Sequence, residues 1–463
     1  MNIYIHNEIS VRELDSKLLI GVLAASRGHQ VLISSSEIIE KGQRRKILVP
    51  GIFHTKSLTP TNSKVKRHQS MIDNNFLVTS IDEEGGLLDY GYENYAKFRY
   101  SDLTLQQCSA IFTWGSEDVE TLKKIYSSYA SKIHKTGSAR VDLWKTDFLE
   151  YWGYPKNAPK KPFLLVSTNM KPYRKRPFIE TMRLNKLKGD YERLSNFHDN
   201  QLKSLGESCF LTAAFIEAIK YLSSKNEKYD IVVRPHPTDD INSWKIAFDG
   251  FKNVHVIKEG AISSWINKAF AVMHNGCTTA FETLISKKPL ITYLPFEQKY
   301  TREITSNFAT VNELGHCVKS LDELSKTINH IFETPQHEKN KFKNIKNPEI
   351  ISKKIYLDDE LSAIKIIKIW ESLDNKLLSQ SNNWIKFKIF LNLMRINKFV
   401  GNLLKKISLS KNNKINENIK FPKLNKRDII ERVDKLKNIL SINSSVKCKI
   451  LSERTILIKN FKK

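Results

Sequence analysis

Three acids in a row, Asp82-Glu83-Glu84, follow the apolar run Phe76–Ile81 and precede Gly85-Gly86. A carboxylate at the end of a buried strand can take a proton from a hydroxyl or act as a nucleophile. The same trio is also compatible with a solvated turn. Further on, Arg234-Pro235-His236-Pro237 directly follows another apolar run. Its prolines stiffen the turn and aim Arg234 and His236 in fixed directions, which suits a grip on phosphate. His236 could also protonate a departing phosphate, although a capping or core histidine is the plainer role for one imidazole. A third stretch, His274-Asn275-Gly276-Cys277-Thr278-Thr279, runs into an apolar helical pattern over 280–286. A glycine turn feeding a helix that starts at Thr278/Thr279 presents backbone N–H groups and a positive dipole end to an anion. Glu282, one turn in, is placed for ribose hydroxyls, or it simply offsets the helix dipole.

These residues hang from short apolar runs that read as buried parallel strands. Ile231–Val233, Val254–Ile257 and Phe270–Met273 carry the second and third stretches. Phe163–Val166 ends in Ser167-Thr168-Asn169, polar side chains that either meet a ligand or cap the following turn. Ile133–Lys135 runs into Thr136–Asp142, where Arg140 and Asp142 form an ion pair or reach a ligand. The chain opens strand–helix–strand: Asn2–Ile5, a helix whose apolar face is Leu14, Leu18, Val22 and Ala25, a stop at Gly28, then Val31–Ser34. Strands alternating with helices predict a doubly wound α/β fold, with site residues at the carboxyl ends of strands. Three prolines between Pro155 and Pro162 mark a linker, and Asp358–Ser372 reads as an amphipathic helix crossing back to the first domain.

The 463 residues allow about three domain-sized units, and the net charge of +26 predicts an anionic partner. That charge is uneven: 22 Lys and Arg but only 6 Asp and Glu lie between Asp374 and Lys463. Trp384–Ile407 mixes aromatic, aliphatic and basic residues without an acid. Such a segment lies in an anionic membrane surface or packs on protein; residues 408–463 yield no role. Five scattered cysteines suit a reducing compartment. With no leader-like start and no apolar run of about 20 residues, the expected location is the cytoplasm, at most peripheral to the inner membrane.

Taken together, DEEGG (82–86), TWG (113–115), GSARVD (137–142), RPHP (234–237), WI (265–266), HNGCTT–E (274–282) and KPLITYLP (288–295) resemble the bacterial surface carbohydrate biosynthesis family over residues 1–372. That family resembles GT-B glycosyltransferases. Its His-Pro element is similar to that of CMP-sugar users: sialyltransferases, β-Kdo transferases, and teichoic-acid enzymes that use CDP-glycerol. The resemblance implies two Rossmann-like domains with an interdomain cleft: 1–154 on the acceptor side, 163–357 for the nucleotide sugar, 358–373 as crossover helix, and 374–463 as a basic helical tail. It implies transfer of an acidic sugar, Kdo or a nonulosonate, from a CMP-activated donor to a capsule or lipopolysaccharide glycan, the acceptor being free or lipid-linked. His236, Thr278 and Thr279 would hold the CMP phosphate and Glu282 the ribose. Arg234 or Arg140 would pair with the sugar carboxylate. One of Asp82, Glu83 and Glu84 would be base or nucleophile. Asp142, Ser167, Thr168, Asn169, Pro237, Glu259, His274 and Asn275 complete the candidate donor-side set. No metal or other cofactor is expected, because no Asp-x-Asp-like element stands out. Competing readings are a UDP-sugar transferase or a nucleotide-sugar 2-epimerase-like protein, a CDP-glycerol-type transferase, a nucleic-acid binder drawn from the charge, and a non-catalytic glycan scaffold.

Overall fold

A computed structural model describes residues 1–85, 92–170, 172–187, 197–304, 310–335, 338, 348–373, 381–407, 423–442 and 445–461. The chain divides into two compact units. The first gathers Met1–Gly86, Tyr92–Leu143 and Ser352–Lys463; the second is Trp144–Ile351.

The first unit is built on a sheet of order β13-β14-β2-β1-β3-β4-β5-β6. Strands β1 (Asn2–His6), β2 (Gln30–Ser34), β3 (Ile52–Thr55), β4 (Leu77–Ile81), β5 (Ala110–Thr113) and β6 (Ile133–Lys135) run parallel. Every residue of β1 is buried, as continuous apolar runs require when helices cover both faces of a sheet. The first helix, Ser10–Ser26, leads back to β2. It stops at Gly28, whose φ of 95° supplies the left-handed residue, while His29 N–H donates to the Ala24 carbonyl. The Trp in the TWG motif donates its indole N–H to the Asp82 carbonyl at 2.7 Å. Its Gly115 lets the chain at Lys353 and Lys354 pass so closely that a Cβ would lie 2.2 Å from the Lys353 carbonyl oxygen.

The second unit carries a wholly parallel sheet, β12-β11-β10-β7-β8-β9. Its strands are β7 (Phe163–Ser167), β8 (Asp230–Arg234), β9 (Val254–Val256), β10 (Ala271–His274), β11 (Leu290–Tyr293) and β12 (His316–Val318). Each unit is thus a doubly wound, Rossmann-like sheet. In the first, the chain passes from β2 across β1 to β3; in the second, from β9 across β8 and β7 to β10. The winding reverses beside β1 and beside β7, and ligands bind at the carboxyl ends of strands where that happens.

Two expectations about boundaries change. The first unit ends at Leu143 rather than 154, because Trp144 and Trp152 accept hydrogen bonds from Ser286 and Ser264 of the second unit through their carbonyls. The C-terminal segment is more than a basic tail. Strands β13 (Val446–Ser452) and β14 (Thr455–Asn460) form a hairpin, and β14 pairs antiparallel with β2. The helix Lys426–Ile439 packs beside it, burying Ile429, Val433 and Leu436. The helix Ser362–Leu373 is held by Asp142, whose carboxylate accepts from the N–H groups of Ser362 and Ala363 at 3.0 and 2.9 Å. Asp142 therefore caps a helix and is not a donor-binding residue.

Candidate active site

In the first unit, the carboxyl ends of β1, β3 and β4 meet around a buried charge network. The three consecutive acids have separate environments. Asp82 is engaged on both oxygens by Arg99, at 2.6 Å each, and accepts the Glu84 N–H as well. Such a bidentate pair ties up both of its carboxylate oxygens. Glu84 is a third exposed and meets Arg12 at 3.0 Å and Arg99 at 3.7 Å. Glu83 is buried, its backbone N–H fixed by the Lys56 carbonyl. Burial raises its pKa above the ordinary carboxylate value, the Lys17 ammonium 3.6 Å away opposes that, and the charge of Glu13 reinforces it.

Lys17 and Glu13, one turn apart on the first helix, are both buried and 2.7 Å from each other. Burial pushes the Glu13 carboxyl up, but Lys17, Lys56 and the Glu8 N–H outweigh it and hold the group below its usual range. One buried ammonium thus faces two carboxylates, and Glu83 is the one that gains a proton more readily. Four buried polar atoms cluster at the β1–helix junction with no hydrogen-bond partner among the described residues: His6 Nδ1, Asn7 Oδ1, Arg12 Nε and Glu13 Oε1. Such atoms cost roughly 1–3 kcal/mol each and are rare away from functional positions. Arg140 lies in this unit too, where its charge lowers the Glu83 pKa.

In the second unit, the ends of β7, β8 and β10 form a different constellation. Ser167 Oγ lies 2.9 Å from Thr279 Oγ1 and 3.3 Å from Cys277 Sγ, tying β7 to the start of the helix Thr279–Ile285. Gly276, with φ 59°, turns the chain into that helix, and its N–H donates to Asn312 Oδ1 at 2.7 Å. Thr278 is half-buried at the N-cap. Glu282 is buried and accepts from Ser263 Oγ.

His236 is half-buried, and its Nδ1 accepts the Thr238 backbone N–H at 3.2 Å. A backbone amide can only donate, so the neutral ring carries its proton on Nε2. Behind it, buried Asp239 accepts the His236 N–H and the Trp244 indole N–H. Arg174 joins the parts. It donates to Thr238 Oγ1 and Asn169 Oδ1 at 2.7 Å each, lies 3.3 Å from Asp239, and feels the Cys277 thiol electrostatically. A guanidinium thus stands between the histidine turn and Asn169 at the end of β7.

Several expected residues have other work. Arg234 is buried and donates to the carbonyls of Ile257, Glu259 and Gly260 at 3.4, 2.5 and 2.9 Å, while its guanidinium lies over Trp265. Burial lowers its pKa to about 10 against the pull of Glu259. It holds the 257–260 loop and is not placed to pair with a sugar carboxylate. His274 is fully buried against Thr292, its pKa pushed down by burial to about 3, so it is a neutral core residue. Asn275 is buried and donates to the Tyr293 carbonyl. Thr168 bonds the Arg234 carbonyl. Glu259 is exposed and accepts from Asn157, and Pro237 is exposed. Glu13, Lys17, Lys56, Arg174 and Asp239 were missed. A signal existed for one of them: Asp239 sits two residues past the His-Pro turn in a run of polar residues.

The chain is thus built of two units, each with a Rossmann-like sheet. No protein-family model matches the sequence, and no curated protein matches it. Solved structures do align with it. A UDP-N-acetylglucosamine 2-epimerase is 11% identical, with 82% of this chain and 98% of that chain covered, at a TM-score of 0.49. The Methanocaldococcus jannaschii UDP-GlcNAc 2-epimerase, in complex with UDP-GlcNAc and UDP, is 14% identical over 80% of this chain and all of that one, at 0.44. The wall teichoic acid polymerase TagF, soaked with CDPG, is 11% identical over 82% and 90%, at 0.47.

Proposed function

We propose that the protein is a glycosyltransferase of cell-surface polysaccharide biosynthesis that uses a nucleotide-activated donor, a CMP-linked acidic sugar of the Kdo or nonulosonate class. The observation that carries this reading is Arg174, which ties the His236 turn to Asn169 at the end of β7, at the reversal point of a parallel sheet. A guanidinium and an imidazole N–H of fixed tautomer suit a nucleotide phosphate. Glu282 and Ser263 serve the ribose. In the first unit, Glu83 takes the proton of the acceptor hydroxyl. The acceptor oxygen then bonds to the anomeric carbon, and the glycosyl–phosphate bond breaks with its electron pair left on CMP. Lys17 positions Glu83, and Arg140 is the expected partner of the donor carboxylate. The reaction belongs in the cytoplasm, where five free cysteines are at home.

A second reading, transfer from a CDP-glycerol-type donor, draws support from Arg234. With its guanidinium on backbone carbonyls, the site has one fewer cation for an acidic sugar. The test is incubation of purified protein with CMP-Kdo, a CMP-nonulosonate, CDP-glycerol and UDP-GlcNAc in turn, monitoring nucleotide release. CMP release from an acidic-sugar donor, lost in Glu83→Gln, is expected. Release from CDP-glycerol alone selects the second reading. Failure of every nucleotide to raise the melting temperature overturns both.

A further inference from the structure

We propose that the outer face of the helix Trp384–Ile407, with the lysine-lined groove beside it, is a docking surface for an anionic lipid bilayer. This stands independently of the function proposed above. One side of the helix is anchored: Phe387, Phe390 and Leu391 are buried in the core of the first unit, and the Trp384 indole donates to Gln30 at 2.6 Å. The other side is bare. Ile385, Ile389, Leu393 and Ile396 are 76%, 56%, 52% and 55% exposed. At about 100° per residue these four fall within an arc of roughly 80°, opposite the buried phenylalanines. Lys386 flanks the stripe on one side and Lys388 and Arg395 on the other, and no acid occurs from 384 to 407.

Where the stripe begins, the helix borders a groove of about 640 Å³ against the C-terminal hairpin, lined by Trp384, Ile385, Lys388, Lys426, Lys449 and Lys459 among others. Among the described residues none of these four lysines forms an ion pair. Lys449 and Lys459 instead stand 4.3 and 4.6 Å from the Phe461 ring. Four uncompensated ammonium groups call for anionic oxygens, and the adjoining stripe calls for hydrocarbon. An anionic bilayer interface offers both, with the helix lying in the headgroup plane. No helix among the described residues is long and apolar enough to cross the membrane. A second copy docked through the same stripe would set its lysines against their own kind. A nucleic acid would meet the lysines and leave the stripe in water.

The test is co-sedimentation of the full chain with vesicles of phosphatidylcholine alone or mixed with phosphatidylglycerol, at physiological ionic strength. Binding to the mixed vesicles is expected, with little to the neutral ones. Ile389→Glu combined with Leu393→Glu should abolish it, and Lys449→Ala should weaken it by about fivefold. Both sites are on the surface, and an unchanged melting curve and nucleotide response would show that the variants fold. The proposal is overturned if wild type ignores the mixed vesicles or if the stripe variant binds like wild type. It is also overturned if light scattering shows that the stripe variant splits a dimer, or if the lysines bind an oligonucleotide while vesicles stay free.

Discussion

The reversal points of the two sheets both lie beside the unit's first strand and hold different chemistry. At the end of β1, two buried carboxylates, Glu13 and Glu83, share the buried ammonium of Lys17. At the ends of β7, β8 and β10 the groups include hydroxyls, a thiol, an imidazole and the part-exposed Arg174, while the buried charges Arg234, Asp239 and Glu282 are held by hydrogen bonds to neighbouring groups. Moving a proton requires a carboxyl whose charge is unstable in place, which burial next to another carboxylate provides. Holding a nucleotide requires donors aimed in fixed directions, which neutral groups tied to a turn provide with little desolvation. The fold sets where each site lies, and the local residues set what it does.

The comparison breaks most visibly at Lys17. Lys17→Ala leaves Glu13 and Glu83 buried together, and unfolding free energy should fall by about 3–5 kcal/mol. Denaturant melts should show the loss, smaller in mild acid, where a carboxyl takes up a proton. Next comes Glu83→Gln, expected to cut turnover by about 100-fold or more with nucleotide affinity unchanged by calorimetry. Because the Glu83 pKa is raised, the acid limb of the wild-type rate profile should lie above the ordinary carboxylate range. Arg174→Ala should weaken nucleotide binding by roughly tenfold or more, about 1.5–3 kcal/mol, whereas His274→Ala should lower the melting point and leave binding intact.

A last effect separates the units by acid. Burial lowers His6 and His54 to about 3 and His68 to about 4 in the first unit, and His274 to about 3 in the second. These folded pKa values lie below the unfolded value, so their stability contribution is present above about pH 6.5 and falls as the unfolded chain takes up protons the fold refuses. Each costs about 1.4 kcal/mol per pH unit below that point. Glu83, with its raised pKa, acts in the other direction near the carboxylate range. With His134 also lowered by burial, four histidines against one should make the first unit melt earlier as pH falls; coincident transitions at every pH would contradict this.

Much of the scaffold was legible. The apolar runs ending at Ile81, Val233 and Met273 became strands, and Gly28 and Thr278 became helix boundaries. Which of three acids is poised was not, because Arg99 disarms Asp82 from 17 positions away. Glu13 and Lys17 read as an ordinary solvated pair at helical spacing; only packing reveals that the helix carries them inside. Asp142 meets amides 220 positions on, a contact that local spacing cannot show. The hairpin was hidden because its lysines dominate the composition while Ile456, Leu457 and Ile458 supply the buried pairing with β2.

That pairing has a consequence for synthesis. Strand β2 precedes the Trp144–Ile351 lobe in sequence and its neighbour β14 follows it, so the lobe that holds them is begun before the other and completed after it. The Trp144–Ile351 lobe, contiguous in sequence, can close while the opening strands still wait with an open flank. Truncating the last few residues would therefore damage the beginning of the protein, leaving a hydrophobic edge bare and prone to pair with other chains.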